Sequence, residues 1–156
     1  MRDGAEHACA CAPPARATDT TKHVNDVWSI DLSGRDGYTW HQVHTIGERP
    51  GPRENSGSCM LANRYMVVHG GYGFHDGYLN TTYVLDTHVD PMIWTRPTLT
   101  GTRPDSRHGF SLMRIEDDEA LLVAGLSEYG FEQDTHILQL GVGNEAYYQG
   151  LTHEPA

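Results

Sequence analysis

Histidine and cysteine are the residues of this chain that could most readily hold a metal ion, and there are ten histidines and three cysteines among 156 residues. His7, Cys9 and Cys11 alternate near the N-terminus, but they are one ligand short of a closed zinc site. His41 and His44 lie three positions apart, which places them on opposite faces of an extended strand. These spacings predict no metal site and no other cofactor.

His75 and Asp76 could act as a catalytic base and the group that orients it. Residues adjacent in sequence rarely face each other productively, and no nucleophile accompanies this pair. The sequence also contains no nucleophile elbow, no phosphate-binding loop and no zinc signature. We therefore predict no catalytic residues and a function other than that of an enzyme.

Composition and charge narrow the classes of partner. The chain has 11 basic and 21 acidic residues, for a formal net charge of −10. Nucleic acid and anionic membrane surfaces both require basic patches, so neither is expected to bind this chain. The sequence has no apolar stretch of the roughly 20 residues that a membrane helix needs, and no signal peptide is recognisable. Three cysteines form no disulfide framework, which predicts a reducing, cytoplasmic location.

The elements that would position a site are short strands. Residues 65–69 are an apolar run that ends at the glycine pair Gly70-Gly71, and residues 82–86 alternate until an aspartate. The first run is typical of a strand covered on both faces and the second of a strand covered on one face. Residues 24–32 alternate in the same way. Since no segment shows the helical period of about 3.6 residues, the sequence predicts an all-β fold.

A repeat of 54 residues organises the chain, and related pairs recur at spacings of 53 or 55 residues. The pairs separated by 54 residues are Trp40 and Trp94, Gly47 and Gly101, Pro50 and Pro104, Arg53 and Arg107, and Gly71 and Gly125. A fixed period near 50 residues with several short strands in each unit indicates a β-propeller or a solenoid.

The repeated unit resembles the kelch repeat. The residues that carry the resemblance are Gly70, Gly71, Tyr83, Asp86 and Trp94, with a weaker echo in Trp28, Asp31, Trp40, Gly125 and His136. The unit departs from the kelch pattern where Ala124 replaces the first glycine and His136 replaces the tyrosine. No tryptophan follows residue 140, and residues 146–148 are the only candidate there for the last strand. The resemblance implies kelch-type β-propeller blades, each a four-stranded antiparallel sheet.

The resemblance also implies a division of the chain. Residues 1–22 have no period and are predicted to be a disordered arm, and residues 144–156 are predicted to be a C-terminal tail. The kelch repeat region, 23–143, is then divided into a partial blade at 24–46, a full blade at 56–98 and a partial blade at 108–141. Closed propellers need about four to eight blades. We therefore expect either a piece of a longer propeller or self-association through open blade faces.

Within this division, the predicted strands are 26–32, 39–44, 58–62, 65–69, 82–86, 93–96, 110–114, 120–124 and 135–140. Trp40 and Trp94 are expected to pack between blades, because a large apolar side chain that recurs once in each unit serves packing. Asp31 and Asp86 are expected to accept backbone hydrogen bonds at turns.

In kelch propellers a partner docks on the end of the ring that is built by the loops before each first strand and after each second strand. By that resemblance, the candidate partner-binding residues are Arg53, Asn55, Tyr72, Phe74, His75, Tyr78, Arg107, His108, Tyr129 and Phe131. The planar fork of arginine binds carboxylates, and aromatic side chains supply contact area at low entropic cost. The alternative is that Arg53 and Arg107 pair with an acid of a neighbouring blade and hold the loops.

The resemblance implies a protein–protein interaction module, a binding scaffold or adaptor that works through these loops. The alternative is a fragment of a kelch-like propeller enzyme or metal-dependent protein that acts on a sugar or another small molecule. Such a protein needs ligands spread over several blades, and the sequence shows no such set. The preferred interpretation is therefore an interaction module with a protein partner.

Overall fold

The computed structural model describes residues 7–10, 24–32, 37–141 and 145–151, and its regular elements in these ranges are β-strands. They are β1 (His7–Ala10), β2 (Val27–Asp31), β3 (Thr39–Val43), β4 (Thr45–Gly47), β5 (Gly57–Leu61), β6 (Tyr65–His69), β7 (Tyr72–Gly73), β8 (Gly77–Tyr78), β9 (Thr82–Asp86), β10 (Met92–Thr95), β11 (Thr98–Gly101), β12 (Ser111–Arg114), β13 (Glu119–Val123), β14 (Leu126–Ser127), β15 (Gly130–Phe131), β16 (Thr135–Leu140) and β17 (Glu145–Leu151). Across these ranges no helix is long and apolar enough to cross a membrane. The predicted all-β fold is confirmed.

The strands form three main sheets, which we call the first, middle and last blades. The strand order is β1-β2-β3 in the first blade, β4-β10-β9-β6-β5 in the middle blade and β11-β17-β16-β13-β12 in the last blade. Apart from β4 and β11, neighbouring strands in each blade pair antiparallel, as the kelch-type blade requires. The hairpins β7-β8 and β14-β15 follow the second long strand of the middle and last blades. The predicted strands match the observed ones except for small shifts at their ends.

The middle and last blades each have an outermost strand that the sequence did not predict. β4 follows β3 of the first blade along the chain, yet it pairs in parallel with β10 of the middle blade. β11 repeats this arrangement by pairing in parallel with β17 of the last blade. Each of these blades therefore begins at its outer edge, and the chain then crosses one end of the blade to reach the innermost strand.

Gly47 and Gly101 end these outer strands, and the geometry explains why glycine recurs there. Both residues have left-handed backbone conformations, with φ of 87° and 81°. A Cβ on Gly47 would lie 2.3 Å from the carbonyl oxygen of Trp94, and a Cβ on Gly101 would lie 2.1 Å from that of Tyr148. Only glycine allows the two backbones to approach this closely.

Gly101→Ala is expected to lower the free energy of unfolding by about 2 kcal/mol or more, because a strained backbone and a steric conflict with the neighbouring strand act together. Gly77→Ala is the matched control, since Gly77 has φ of 68° but nothing would lie within 4 Å of its Cβ. We expect a loss of about 1 kcal/mol there. Urea denaturation compares the two variants, and equal losses would show that the close approach at Gly101 has no energetic effect.

Two apolar clusters join the blades. Val27 of the first blade packs with a cluster from the middle blade that includes Val68 and Trp94. A second cluster joins the middle and last blades and consists of Leu61, Val67, Val84, Leu112, Ala120, Leu122, Leu138, Ala146 and Tyr148. Trp94 is 2% exposed, which confirms its predicted place between blades. The same prediction is wrong for Trp40, which is 38% exposed because the described residues place no blade before the first one.

The C-terminal segment belongs to the last blade. Residues Glu145–Leu151 form β17, which pairs with both β16 and β11. The predicted tail at 144–156 is corrected over this strand, because Tyr148 follows Trp94 by one repeat length and is buried in the same way. Within the predicted arm at 1–22, the structure describes β1, which pairs with β2, and the rest of that segment lies outside the described residues.

One face of the last blade is not covered by any described part of the chain. Leu121, Met113 and Tyr147 lie on this face, and the latter two are 47% and 46% exposed. In the middle blade, the side chains that face the same way, such as Val67 and Val84, are buried against the last blade. We call this surface the open face.

Candidate functional site

The loops that were predicted to form a binding end meet in the structure. The N–H of Gly71 donates to the carbonyl oxygen of Arg107 at 2.9 Å, and the N–H of Gly109 donates to that of Asn55 at 3.0 Å, so the loops of the middle and last blades are joined. We call this end the rim, and it consists of residues 52–56, 71–79, 105–109 and 125–132.

Arg107 is fully enclosed within the rim, with no exposed surface. Its guanidinium donates to both carboxylate oxygens of Asp134, with an Nη2–Oδ2 distance of 2.9 Å. It also donates to the carbonyl oxygens of Ala124 at 3.1 Å and Asp105 at 3.0 Å. These are the contacts of a residue that holds a loop, although the acid comes from the same blade rather than a neighbouring one. In this position the Arg107 side chain offers no surface to a partner.

Arg53 occupies the equivalent position in the middle blade, where a hydroxyl replaces the carboxylate. Its Nη1 donates to the carbonyl oxygen of Gly70 at 3.0 Å and to Oγ1 of Thr81 at 3.1 Å. The guanidinium carbon lies 5.1 Å from the centre of the Tyr83 ring. Burial lowers the pKa of Arg53, against a smaller raising effect of Tyr83. Arg53 is half-buried and therefore also holds its loop.

An aromatic cluster lies where the middle and last blades meet at the rim. The rings of Tyr72 and Tyr78 pack edge to face with centroids 5.4 Å apart. His108 from the last blade contacts both rings, with centroid distances of 5.9 Å to Tyr72 and 5.2 Å to Tyr78. The structure thus brings three of the predicted partner-binding residues together across two blades.

The tips of the rim hairpins expose aromatic rings. Phe74, Tyr129 and Phe131 are 66, 83 and 87% exposed. The exposed ring of His75 lies 4.9 Å from that of Phe74, and Asn55 is exposed in a left-handed conformation with φ of 51°. Apolar surface exposed in this way gains free energy when a partner removes it from water. These tips are the most accessible of the predicted partner-binding residues.

The hairpin of the last blade is ordered by Ser127, which sequence reasoning missed. The Ser127 hydroxyl donates to the carboxylate of Glu132 and accepts the N–H of Tyr129 at 3.0 Å. A hydrogen bond with Glu128, together with the negative charges of Glu128 and Asp105, raises the pKa of the Tyr129 phenol. The tip therefore lies in a negative potential.

A small cavity lies between the first and middle blades, with a volume of about 70 Å³. Asp26, Arg53, Ser56 and Trp94 are among the residues that line it. Oδ1 of Asp26 and Nε1 of Trp94 are buried without a hydrogen-bond partner among the described residues. Most of the cavity wall is apolar, and these two polar atoms have almost no accessible surface. No sequence pattern linked these residues.

A buried polar network joins the middle and last blades. Nδ1 of His69 lies 2.9 Å from Oγ1 of Thr82 and 2.8 Å from the hydroxyl of Tyr148, and these two oxygens are 3.0 Å apart. Burial, reinforced by the nearby charge of Arg107, lowers the pKa of His69 to about 3. Sequence reasoning missed this network, although the 54-residue spacing between Trp94 and Tyr148 was a signal for part of it.

We expect the stability of the chain to fall as the pH drops from about 6.5 towards 3. The ordinary pKa of histidine is 6.5, so the unfolded chain then binds a proton that buried His69, with its pKa of about 3, does not. Above this range His69 is neutral in both states and makes no contribution to the pH dependence. His69→Gln should remove this part of the slope, whereas His44→Gln, at an exposed histidine, should retain it. Denaturant unfolding at several pH values measures the slope, and an unchanged slope in His69→Gln would contradict the assignment.

The described residues include no group of three or more His, Cys, Asp or Glu side chains that could hold a metal ion. Cys59 is a free thiol, and burial raises its pKa to about 11. What the rim offers is aromatic contact area, accessible carboxylates and hydrogen-bonding groups on loops that are tied to the blades.

Comparison with known proteins agrees with this architecture. Residues 17–148 match the model of the KLHDC2/KLHL20/DRC7 Kelch-repeats domain. The chain is 30% identical over 107 residues to acyl-CoA-binding domain-containing protein 5 from Arabidopsis thaliana, a match that covers 69% of this chain and 16% of that protein. It is 32% identical over 107 residues to Adagio-like protein 1 from Oryza sativa subsp. japonica, and this match covers 69% of this chain and 16% of that protein.

An F-box/kelch-repeat protein from Arabidopsis thaliana is 29% identical over 112 residues, which cover 69% of this chain and 23% of that protein. The chain therefore spans less than a quarter of the length of each of these curated relatives. The solved structure of YjhT superposes with a TM-score of 0.57 over 80% of this chain and 38% of that chain, at 15% sequence identity. At this level of identity, the likeness concerns the fold alone.

Proposed function

Because the chain belongs to the kelch-repeat family, we propose that it is a protein-interaction module that binds a partner protein through its rim. Kelch repeats generally serve as scaffolds for protein–protein interaction, and a curated relative carries that repeat in its name. The rim as the binding surface is the part that the geometry of this chain supports.

The observation that carries the proposal is the exposure of Phe74, Tyr129 and Phe131 on the rim hairpins. Aromatic residues are enriched among the few side chains that dominate the binding energy of protein interfaces. Three such rings on one end of the blades therefore form a candidate contact surface.

The rim is also held in place before any partner binds. Arg107 and Arg53 tie the loops to backbone carbonyls of their own blades, and His108 packs against both Tyr72 and Tyr78. Loops that are already ordered lose less conformational entropy on binding, so more of the contact energy appears as affinity.

Selection from a random peptide library on the immobilised 156-residue chain tests the proposal. A variant that combines Phe74→Ser, Tyr129→Ser and Phe131→Ser serves for counter-selection, because its substitutions lie on exposed tips and should leave the blades folded. We expect peptides that bind the unmodified chain at least about tenfold more tightly than this variant, as the loss of aromatic anchors predicts.

The matched control is Tyr147→Ser, which removes an exposed aromatic ring from the open face rather than from the rim. It should leave the affinity of the selected peptides unchanged. Peptides that bind the unmodified chain and the rim variant equally well would contradict a binding site at the rim.

We further propose that the isolated chain self-associates through the open face. Burial of apolar surface contributes about 25 cal/mol per Å², and the net charge of −10 opposes association only by repulsion that salt screens. Met113→Glu with Tyr147→Glu should yield a monomer, whereas Phe131→Glu on the rim should not. Light scattering during size-exclusion chromatography measures this. A monomer of the unmodified chain at every salt concentration would disprove the association.

A further inference from the structure

We propose that the rim binds a basic segment of its partner, in which lysine or arginine side chains lie between the aromatic tips and the surrounding carboxylates. This inference rests on the proposed function and specifies the chemistry of the partner.

The accessible charges on the rim hairpins are negative. Asp76 is exposed on the hairpin of the middle blade and Glu128 on that of the last blade, and neither hairpin contains lysine or arginine. Glu54 and Asp105 are exposed in the adjoining loops. A hydrogen bond with Glu128 and its charge, with a smaller effect of Asp105, raise the pKa of the Tyr129 phenol, so these two carboxylates lie close to the tip of the last blade.

The arginines within the rim offset this charge only in part. Burial lowers the pKa of Arg53 and the nearby charge of Asp76 acts against that effect, so Arg53 balances some of the charge on the hairpin of the middle blade. Arg107 is fully buried on Asp134, and Arg53 is half-buried against carbonyl oxygens and an aromatic ring. Arg49 and Arg103 are exposed, but they precede the rim loops, next to the ends of the outer strands. Arg96 is exposed, and its guanidinium carbon lies 6.0 Å from the centre of the Tyr83 ring, against which Arg53 also packs. Arg53 and Arg107, whose planar forks had suggested carboxylate binding, therefore offer an acidic partner little of their own surface.

Exposed aromatic rings beside carboxylates favour cationic side chains over apolar ones. A lysine or arginine can lie over the faces of Phe74, Tyr129 and Phe131 by cation–π attraction while its charge pairs with a nearby acid. The ion pairs are weakened by salt, whereas the ring contacts persist because they also bury apolar surface. This combination distinguishes a basic segment from a merely hydrophobic one.

The peptide selection described above separates this inference from the proposed function. Enrichment of lysine and arginine among peptides that depend on the rim would support it. Enrichment of acidic or uncharged peptides that still depend on the rim would overturn it and leave the proposed function standing. A complete lack of rim-dependent peptides would contradict the proposed function itself.

A direct measurement uses two fluorescein-labelled peptides of equal length, one rich in arginine and lysine and the other with glutamate at those positions. Fluorescence anisotropy should show the basic peptide binding more tightly, and Asp76→Asn with Glu128→Gln should weaken it about fivefold. Glu116→Gln with Asp118→Asn removes the same charge from exposed positions in the β12–β13 turn and should change the affinity less than twofold, by the same reasoning. Arg103→Gln should not weaken the basic peptide.

Equal losses in the two carboxylate variants would show that only net charge attracts the peptide and would overturn the inference. Tighter binding of the glutamate peptide than of the basic peptide would overturn the inference in favour of an acidic partner. Loss of glutamate-peptide binding in the Arg103→Gln variant would do the same. Circular dichroism of each variant should match that of the unmodified chain, since all of the substituted side chains are exposed.

Discussion

Asp134→Ala is expected to lower the free energy of unfolding by about 3 kcal/mol, because it leaves the buried guanidinium of Arg107 without its carboxylate. The value lies at the low end for a broken buried ion pair, since the Asp134 side chain is 41% exposed and water can partly replace it. Adding Arg107→Met should recover part of the loss, because the unpaired charge is then gone. Urea denaturation measures all three proteins.

The control is Asp117→Ala, which removes an exposed ion pair with Arg114 and should cost less than about 1 kcal/mol. The free energy of unfolding at acid pH gives a second measurement. Arg107 is the largest cause that lowers the pKa of Asp134 from 3.8 to about 2, so this stabilisation is complete above about pH 4 and is lost as the pH falls towards 2. Equal costs for Asp134→Ala and Asp117→Ala would show that burial of Arg107 does not matter.

Trp94→Ala is expected to destabilise the chain by about 3–5 kcal/mol, the usual cost of emptying an aromatic core site. Trp94 is 2% exposed and packs with Val27, Val68 and Leu85 between the first and middle blades. Its removal also enlarges the cavity that it lines, which adds to the loss of apolar contact.

Trp40→Ala is the matched comparison, because Trp40 has the same place in the repeat but is 38% exposed. We expect Trp40→Ala to lower the free energy of unfolding by less than about 2 kcal/mol, because the Trp40 side chain buries less apolar surface on folding than the Trp94 side chain does. The midpoints and slopes of urea unfolding curves give the free energy of unfolding of both variants. A cost below about 1 kcal/mol for Trp94→Ala, or one no larger than that for Trp40→Ala, would refute the packing assignment.

The long strands could be predicted because their residues alternate and repeat. Val67 and Val84 lie on adjacent strands of the middle blade, and their side chains face the last blade as the period of two requires. The same spacing contained the signal for Tyr148, but a tyrosine in place of tryptophan led to its assignment to a tail. A repeat position is defined by what it packs against, and tyrosine fills this one with its hydroxyl bonded to Thr82.

The outer strands and the acid that pairs with Arg107 could not be predicted, although a loop-holding role for the arginines was one of the two alternatives. β4 and β11 are short and partly polar, and their structure depends on parallel pairing with strands that lie far along the chain. The burial of Arg107 depends on Asp134, which no local pattern connects with it. The aromatic residues of the rim were easier to identify, because a loop position by itself makes exposure the expected state.

The position of the outer strands determines which piece of this protein could be moved as a module. Because β4 opens the middle blade and β10 closes it, the transplantable unit is the continuous stretch 45–95, and its counterpart is 98–151. A graft that starts at residue 56, just before β5, would leave behind both the outer strand β4 and Arg53. Recombination between kelch proteins that joins chains just after the strand equivalent to β10, which contains Trp94, would keep each sheet, and the rim loop that spans it, in one piece.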